Sequence, residues 1–165
     1  MATTTIHLRD QCERFFRPGY NESLLTAWLP ALGGVVETLQ RGARVADVGC
    51  GQGSSTLLMA AAFPRSTFRG FDVHDARAFE GTSYALVVTF DCLHESGDPV
   101  AEARHVLAAL APGGTWMLVD PLPGWGDADA AEARIRAIAA AAGFGHVRRA
   151  AETPYNAVFE IRAGS

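Results

Sequence analysis

The stretch 44–62 has the pattern of a short strand, a glycine turn and then a helix. The apolar run ends on Asp47 and Val48, and the turn that follows places glycine at every second position, at Gly49, Gly51 and Gly53. Glycine has no Cβ, so such a turn bends sharply and lets a ligand approach the backbone where a helix begins. A turn that binds dinucleotides usually reads G-x-G-x-x-G. The spacing here is G-x-G-x-G after an aspartate, which favours a different ligand.

Composition limits the kinds of partner. The 165 residues are enough for one domain with a real core, and 48% of them are hydrophobic. The formal net charge of -4 argues against a nucleic-acid substrate, because phosphate binding needs a basic face. No run approaches the 18 or so apolar residues that a membrane span needs, and the first residues do not resemble a signal peptide. We therefore expect a globular protein with no membrane partner.

The three cysteines indicate the redox state of the cellular compartment and whether the chain has a cysteine metal site. They are odd in number and lack metal-like spacing: Cys12, Cys50 and Cys92. We interpret them as packing thiols rather than reactive ones, and a reduced, cytoplasmic compartment fits this usage best. No cluster of histidine, cysteine and carboxylates has the spacing of a metal site, so we expect no metal.

The hydrophobic pattern predicts an α/β fold. Apolar residues at helical spacing predict a helical stretch from Leu24 to Leu39 that Pro30 kinks or divides. Asp98 caps a later helix that the Pro-Gly-Gly turn 112–114 ends. The other predicted elements are strands near 44–48, 67–71, 84–90, 115–119, 146–150 and 157–162 and helices near 54–62 and 130–142. This alternation predicts a doubly wound, mostly parallel sheet with a C-terminal antiparallel hairpin. We expect a helical segment, 1–40, packed on one compact α/β domain, 41–165.

Polar residues follow four of the predicted strands. In a doubly wound sheet, ligands bind beyond the carboxyl ends of the strands. Those ends carry the glycine turn, then Asp72, then the stretch 91–95, and finally Asp120. The sequence therefore predicts one site that these four ends share.

Five stretches in this order resemble a known enzyme family. They are 13–20, 45–53 (VADVGCGQG), 71–72 (FD), 90–99 (FDCLHESGDP) and 111–119 (APGGTWMLV). They resemble the class I S-adenosylmethionine (SAM) methyltransferases, and within them a bacterial group that acts on small molecules. The resemblance covers nearly the whole chain from about residue 13. It implies a SAM cofactor, an S-adenosylhomocysteine (SAH) product and a small-molecule acceptor.

The resemblance also implies which residues bind the cofactor. The three glycines would pack against the methionine and ribose of SAM, and Asp72 would bind the ribose hydroxyls. An Asp-Ala pair contacts adenine in the family, and residues 75–76 would be its remnant. Asp91 would contact the cofactor's amino group or only cap its strand. The full predicted set is Asp47, Gly49, Cys50, Gly51, Gly53, Asp72, Val73, Asp75, Ala76 and Asp91.

Catalysis would fall to His94, since it is the histidine at a predicted strand end and its ordinary pKa lies near neutrality. It would act as a base toward a hydroxyl or amine acceptor, or it would only shape the pocket. Three aromatic residues, Phe16, Tyr20 and Trp125, would line an aromatic acceptor pocket or belong to the core. We expect the other histidines to be solvated: His7, His74, His105 and His146.

The sequence departs from the family in two places. The group usually carries an N-terminal winged helix, for which we find no counterpart here. Between Asp72 and Tyr84 the chain is too short for the usual further strand and its helix. We therefore expect that strand and helix to be missing, and the second strand to be an exposed edge. The acceptor site would be open, or completed by a second copy or another protein.

Three rival functions stay open at this point. The chain could bind SAM or SAH without methylating, as a partner or regulatory subunit. It could also be a SAM-using lyase or cyclase built on the same fold. A nucleotide dehydrogenase fits least, because of the glycine spacing and the terminal hairpin.

Overall fold

Six strands form one sheet in the part of the chain that the computed structural model describes, residues 20–72, 79–90, 93, 96–122 and 128–164. The strands are β1 (Arg44–Val48), β2 (Thr67–Phe71), β3 (Tyr84–Phe90), β4 (Leu110–Pro121), β5 (Phe144–Glu152) and β6 (Asn156–Ala163). The helices are α1 (Tyr20–Trp28, with π-helical hydrogen bonding), α2 (Leu29–Ala31), α3 (Val35–Arg41), α4 (Ser54–Ala62), α5 (Pro99–Ala109) and α6 (Ala128–Ala142).

The strand order is β2-β1-β3-β4-β6-β5. The first four of these strands run parallel, whereas β6 is antiparallel to β4 and β5 is antiparallel to β6. The structure thus confirms the doubly wound, mostly parallel sheet with its C-terminal hairpin. The winding reverses beside β1, so the glycine turn lies where ligands bind in such sheets.

Side chains of the central strands alternate between two buried clusters. On one face Val87 and Trp116 pack with residues of α5 and α6. On the other face Leu86 and Met117 pack with residues of α1 to α4. Because a strand buried on both faces needs apolar residues at nearly every position, β3 and β4 read as continuous apolar runs. No helix in the described part of the chain is long and apolar enough to cross a bilayer.

The predicted N-terminal helical stretch is divided later than Pro30. The proline lies within the short α2, and the break falls at residues 32–34. Gly34 has a φ of 72°, a backbone conformation that side chains disfavour, and α3 begins directly after it. The glycine pair at Gly33 and Gly34, rather than the proline, therefore separates the helices.

An ion-pair cluster around one buried glutamate holds this break against the sheet. Glu160 on β6 is buried and pairs with both Arg148 and Arg162. The two arginines also donate to carbonyls of the 31–33 turn, Arg148 to Ala31 at 2.9 Å and Arg162 to Gly33. We call these three side chains the Glu160 clamp. The clamp joins the start of the described chain to its last two strands.

The connection between β2 and β3 is short, and β2 is an edge of the sheet, as predicted. Among its described residues, 72 and 79–83, none belongs to a helix or a strand. Phe79 is 2% exposed and packs against Phe71, Tyr84 and His105 at ring-centroid distances of 5.3, 6.2 and 4.6 Å. Nε2 of His105 donates to the Phe79 carbonyl at 2.8 Å. The prediction that His105 is solvated was therefore wrong.

Strand β4 begins five residues earlier than predicted, at Leu110 instead of Thr115. Leu110 pairs with Tyr84, and the ladder is irregular before Leu86 pairs with Thr115. The Pro-Gly-Gly turn lies inside this irregular stretch. Contrary to the prediction from the sequence, it does not end α5, because the helix ends at Ala109 and Leu110 already pairs with β3 before the turn begins.

Candidate cofactor site

The glycine turn is held in place by backbone hydrogen bonds. The N–H groups of Gly49 and Cys50 both donate to the carbonyl of Phe71, at 2.7 and 2.9 Å. Gly53 N–H donates to the Cys50 carbonyl at 2.8 Å, which closes the turn before α4. The φ angles of Gly49, Gly51 and Gly53 are 79°, 54° and 83°. Only glycine adopts all three of these conformations without strain.

The outer part of the turn, at Gly51 and Gly53, has open space around its backbone. A Cβ built on Gly51 or Gly53 would meet no heavy atom within 4 Å. Backbone conformation therefore explains these glycines within the fold. The same openness leaves the backbone accessible, so a ligand can lie directly against it.

Asp47 lies beneath the turn with none of its surface exposed. Its Oδ2 accepts from the hydroxyls of Ser55 and Thr56, both at 2.6 Å. Its Oδ1 is buried and accepts no hydrogen bond from the described residues. Burial raises the pKa of this carboxyl to about 6, although the two hydroxyls act to lower it. The group is thus largely ionised at neutral pH and places a negative charge under the turn.

Cys50 packs against the edge strand. Its Sγ would lie 2.8 Å from a Cβ built on Gly70, so only glycine fits opposite it. Burial, together with the charges of Asp47 and Asp72, raises the pKa of the Cys50 thiol to about 11. The thiol is therefore protonated at neutral pH, in agreement with a packing role.

The structure thus brings five predicted groups to one edge of the sheet, namely the three glycines, Asp47 and Cys50, with Asp72 close enough to act on the thiol. The charged groups that shift this thiol are both acidic. A negative potential here would repel a pyrophosphate and attract a cation. Among the described residues, no three histidine, cysteine or carboxylate side chains could together hold a metal ion.

The Asp47 carboxyl gives the fold a pH dependence of definite sign. The unfolded group titrates near 3.8 and the folded group near a pKa of about 6, so the folded chain holds the extra proton between these values. Its stabilising contribution is complete below about pH 4 and is lost as the pH rises through about 6, by about 3 kcal/mol. We expect the free energy of unfolding of the wild type, measured relative to that of Asp47→Asn, to fall by that amount as the pH rises from about 4 to above about 6. Urea titrations across this range measure the difference, and a difference that is flat or rises with pH would contradict the burial.

Five predicted site residues lie outside the described part of the chain: Val73, Asp75, Ala76, Asp91 and His94. Of the aromatic candidates, Phe16 and Trp125 also lie outside it, and Tyr20 begins α1. Their roles stay predictions. Leu93, one of the two residues between Asp91 and His94, is buried in the core.

Sequence reasoning missed the residues that support the turn. Ser55 and Thr56 hold Asp47, and Gly70 makes room for Cys50. Two signals were present in the sequence. Hydroxyl residues open the helix directly after the turn, and an isolated glycine within a strand indicates a close approach by another group.

Comparison with known proteins identifies the family. A family model described as a methyltransferase domain matches residues 18–157, which include the glycine turn, strands β1 to β5 and the start of β6. The chain belongs to the methyltransferase-domain family. No curated protein matches the sequence significantly.

Solved structures show the same fold as this methyltransferase domain. The mitomycin 7-O-methyltransferase MmcR superposes with a TM-score of 0.62 at 16% identity, over 95% of this chain and 60% of its own. An O-methyltransferase family protein from Burkholderia thailandensis superposes with a TM-score of 0.62 at 18% identity, over 94% and 58%. An O-methyltransferase from neocarzinostatin biosynthesis, solved with SAH and a dihydroxynaphthoic acid, gives 0.58 at 19%, over 73% and 49%. The methyltransferase domain thus spans about half to three fifths of these relatives.

Proposed function

We propose that this methyltransferase domain uses SAM to methylate a small molecule. The observation that carries the proposal is the acidic environment of the glycine turn. SAM carries a cationic sulfonium and an ammonium group, whereas a dinucleotide carries an anionic pyrophosphate at the corresponding turn. Two carboxylates at the turn, Asp47 and Asp72, favour the cation.

The residues present fit the cofactor. The open backbone at Gly51 and Gly53 offers a surface on which a flat or extended ligand can lie. Asp72 follows the neighbouring strand β2, and its two carboxylate oxygens can accept both hydroxyls of a ribose. We extend the proposal to Val73, Asp75 and Ala76 for the adenine side, and to Asp91 for the amino group.

Bound SAM supplies a methyl group that its sulfonium already activates. The chain then has to hold an acceptor in line with the bond between the sulfur and the methyl group, which mainly requires correct positioning. An acceptor hydroxyl also has to lose its proton, and we propose His94 for this role. The solved relatives named above support a small-molecule acceptor, since one of them is bound to a dihydroxynaphthoic acid.

Calorimetry with SAH tests the cofactor, and release of SAH from SAM in the presence of hydroxylated acceptors tests turnover. If SAH gives no heat at millimolar concentration, the proposal is wrong. If SAH binds but no acceptor is turned over, the second candidate applies, a non-catalytic SAM-binding subunit. The edge strand β2 favours that candidate, because a partner protein or a second copy could pair with it and complete the site.

Replacement of His94 by alanine separates chemistry from binding. We expect turnover to fall about a hundredfold, the effect of losing a general base, while the affinity for SAH stays the same. His146 on β5 is exposed and provides a matched control, so His146→Ala should keep full turnover. Unchanged turnover in His94→Ala would reject the role of base.

A further inference from the structure

The turn between β5 and β6 lies at the same edge of the sheet as the glycine turn. Strand β6 is antiparallel to β4, and Asn156 pairs with Pro121 at the carboxyl end of β4. The residues just before Asn156 therefore reach the edge where β1, β3 and β4 end. Because β6 lies three strands from β1, this turn is about 14 Å from the glycine turn at the usual strand spacing.

The backbone of this turn is fixed on both sides of Tyr155. Its N–H donates to Oγ1 of Thr153 at 3.3 Å, and the same oxygen accepts from Asn156 N–H at 3.0 Å. The carbonyl of Tyr155 accepts from Leu122 N–H at 2.8 Å. The turn thus joins the chain leaving β4 and holds residue 155 in place.

The side chain of Tyr155 is nevertheless 63% exposed. Among the described residues, one other large hydrophobic side chain is exposed, that of Leu57 on α4. A single exposed apolar residue needs no explanation by itself. Tyr155 differs because a rigid turn presents it at the edge that binds ligands. A tyrosine on a fixed backbone offers a large stacking surface, and its side chain loses little conformational entropy when a ligand binds.

We propose that Tyr155 is an acceptor-binding residue that selects planar aromatic acceptors. The inference rests on the proposed methyltransferase function and deepens it. The carboxyl ends of β3 and β4 lie between the two turns, so an acceptor bound beside the reactive end of the cofactor would lie on the Tyr155 side of it. A flat aromatic acceptor gains from stacking on the Tyr155 ring, whereas a flexible aliphatic one gains much less.

Calorimetry with a dihydroxynaphthoic acid as the probe, in the presence of saturating SAH, tests this inference. We expect the wild-type chain to bind the probe and Tyr155→Ala to bind it about tenfold more weakly. Tyr155→Phe keeps the ring and should bind within about twofold of the wild type. Leu57→Ala removes the other exposed apolar side chain and should also bind like the wild type. The affinity for SAH should be the same in all four proteins.

Two results would overturn the inference without touching the cofactor. One is equal probe binding by the wild type and Tyr155→Ala. The other is no probe binding by a wild-type chain that binds SAH, which would exclude planar aromatic acceptors of this kind. If the wild type does not bind SAH at all, the proposed function is overturned, and the role of Tyr155 is overturned with it.

Discussion

Replacing Gly51 by leucine should lower the affinity for SAH about a thousandfold, or about 4 kcal/mol, while the chain stays folded. The new Cβ meets no atom of the protein, so the fold has room for it. The φ of 54° costs a side chain only about 1–2 kcal/mol of stability. The leucine would instead occupy the space above the turn where the cofactor is proposed to lie. Calorimetry with SAH and urea denaturation measure the two effects separately.

Gly113 supplies the matched control. Its φ is 73°, and a Cβ there would also meet nothing within 4 Å, but it lies in the irregular first part of β4. Gly113→Leu should therefore cost similar stability and leave the affinity for SAH unchanged. Equal affinities of Gly51→Leu and the wild type would show that the cofactor does not lie over the turn.

Phe79→Ala should destabilise the chain by about 4 kcal/mol, the usual cost of deleting a buried phenylalanine. The ring fills the space among Phe71, Tyr84 and His105 on the face of β1 and β2. No described helix follows β2, so this ring supplies apolar cover that the alanine would not replace. The midpoint and slope of urea denaturation give the loss of stability.

A control and a graded variant sharpen this result. Leu57 is 70% exposed, and Leu57→Ala should change the stability by less than about 0.5 kcal/mol. Phe79→Leu keeps most of the apolar volume and should lose about 1.5 kcal/mol or less. If Phe79→Ala were as stable as the wild type, the connection between β2 and β3 would not depend on its aromatic anchor.

The sequence predicts those features that local patterns determine. The glycine turn, the cap at Asp98 and the apolar runs of β3 and β4 each depend on neighbours within a few positions. Together with the resemblance they predicted the doubly wound sheet with its terminal hairpin and the exposed edge at β2. The number of residues between Asp72 and Tyr84 indicated a short connection. The position of β2 at the edge of the sheet agrees with it.

Other features depend on contacts between residues that lie far apart in the chain. The hydrogen bond from His105 to Phe79 spans 26 positions, and no periodic pattern marks it. The early start of β4 depends on Tyr84 pairing with Leu110 across the sheet. The environment of Asp47 likewise depends on how completely the turn and α4 cover it, and burial cannot be read from an aspartate's neighbours in sequence.

The Glu160 clamp has a consequence for the order of folding. Its hydrogen bonds to the 31–33 turn span 117 and 129 positions, so the anchors of that turn are synthesised long after the turn itself. Helices α1 to α3 emerge from the ribosome before β5 and β6, so the turn between α2 and α3 lacks these hydrogen bonds until the two strands have formed. Such long-range closure slows folding and leaves apolar surface on the early helices uncovered while synthesis continues.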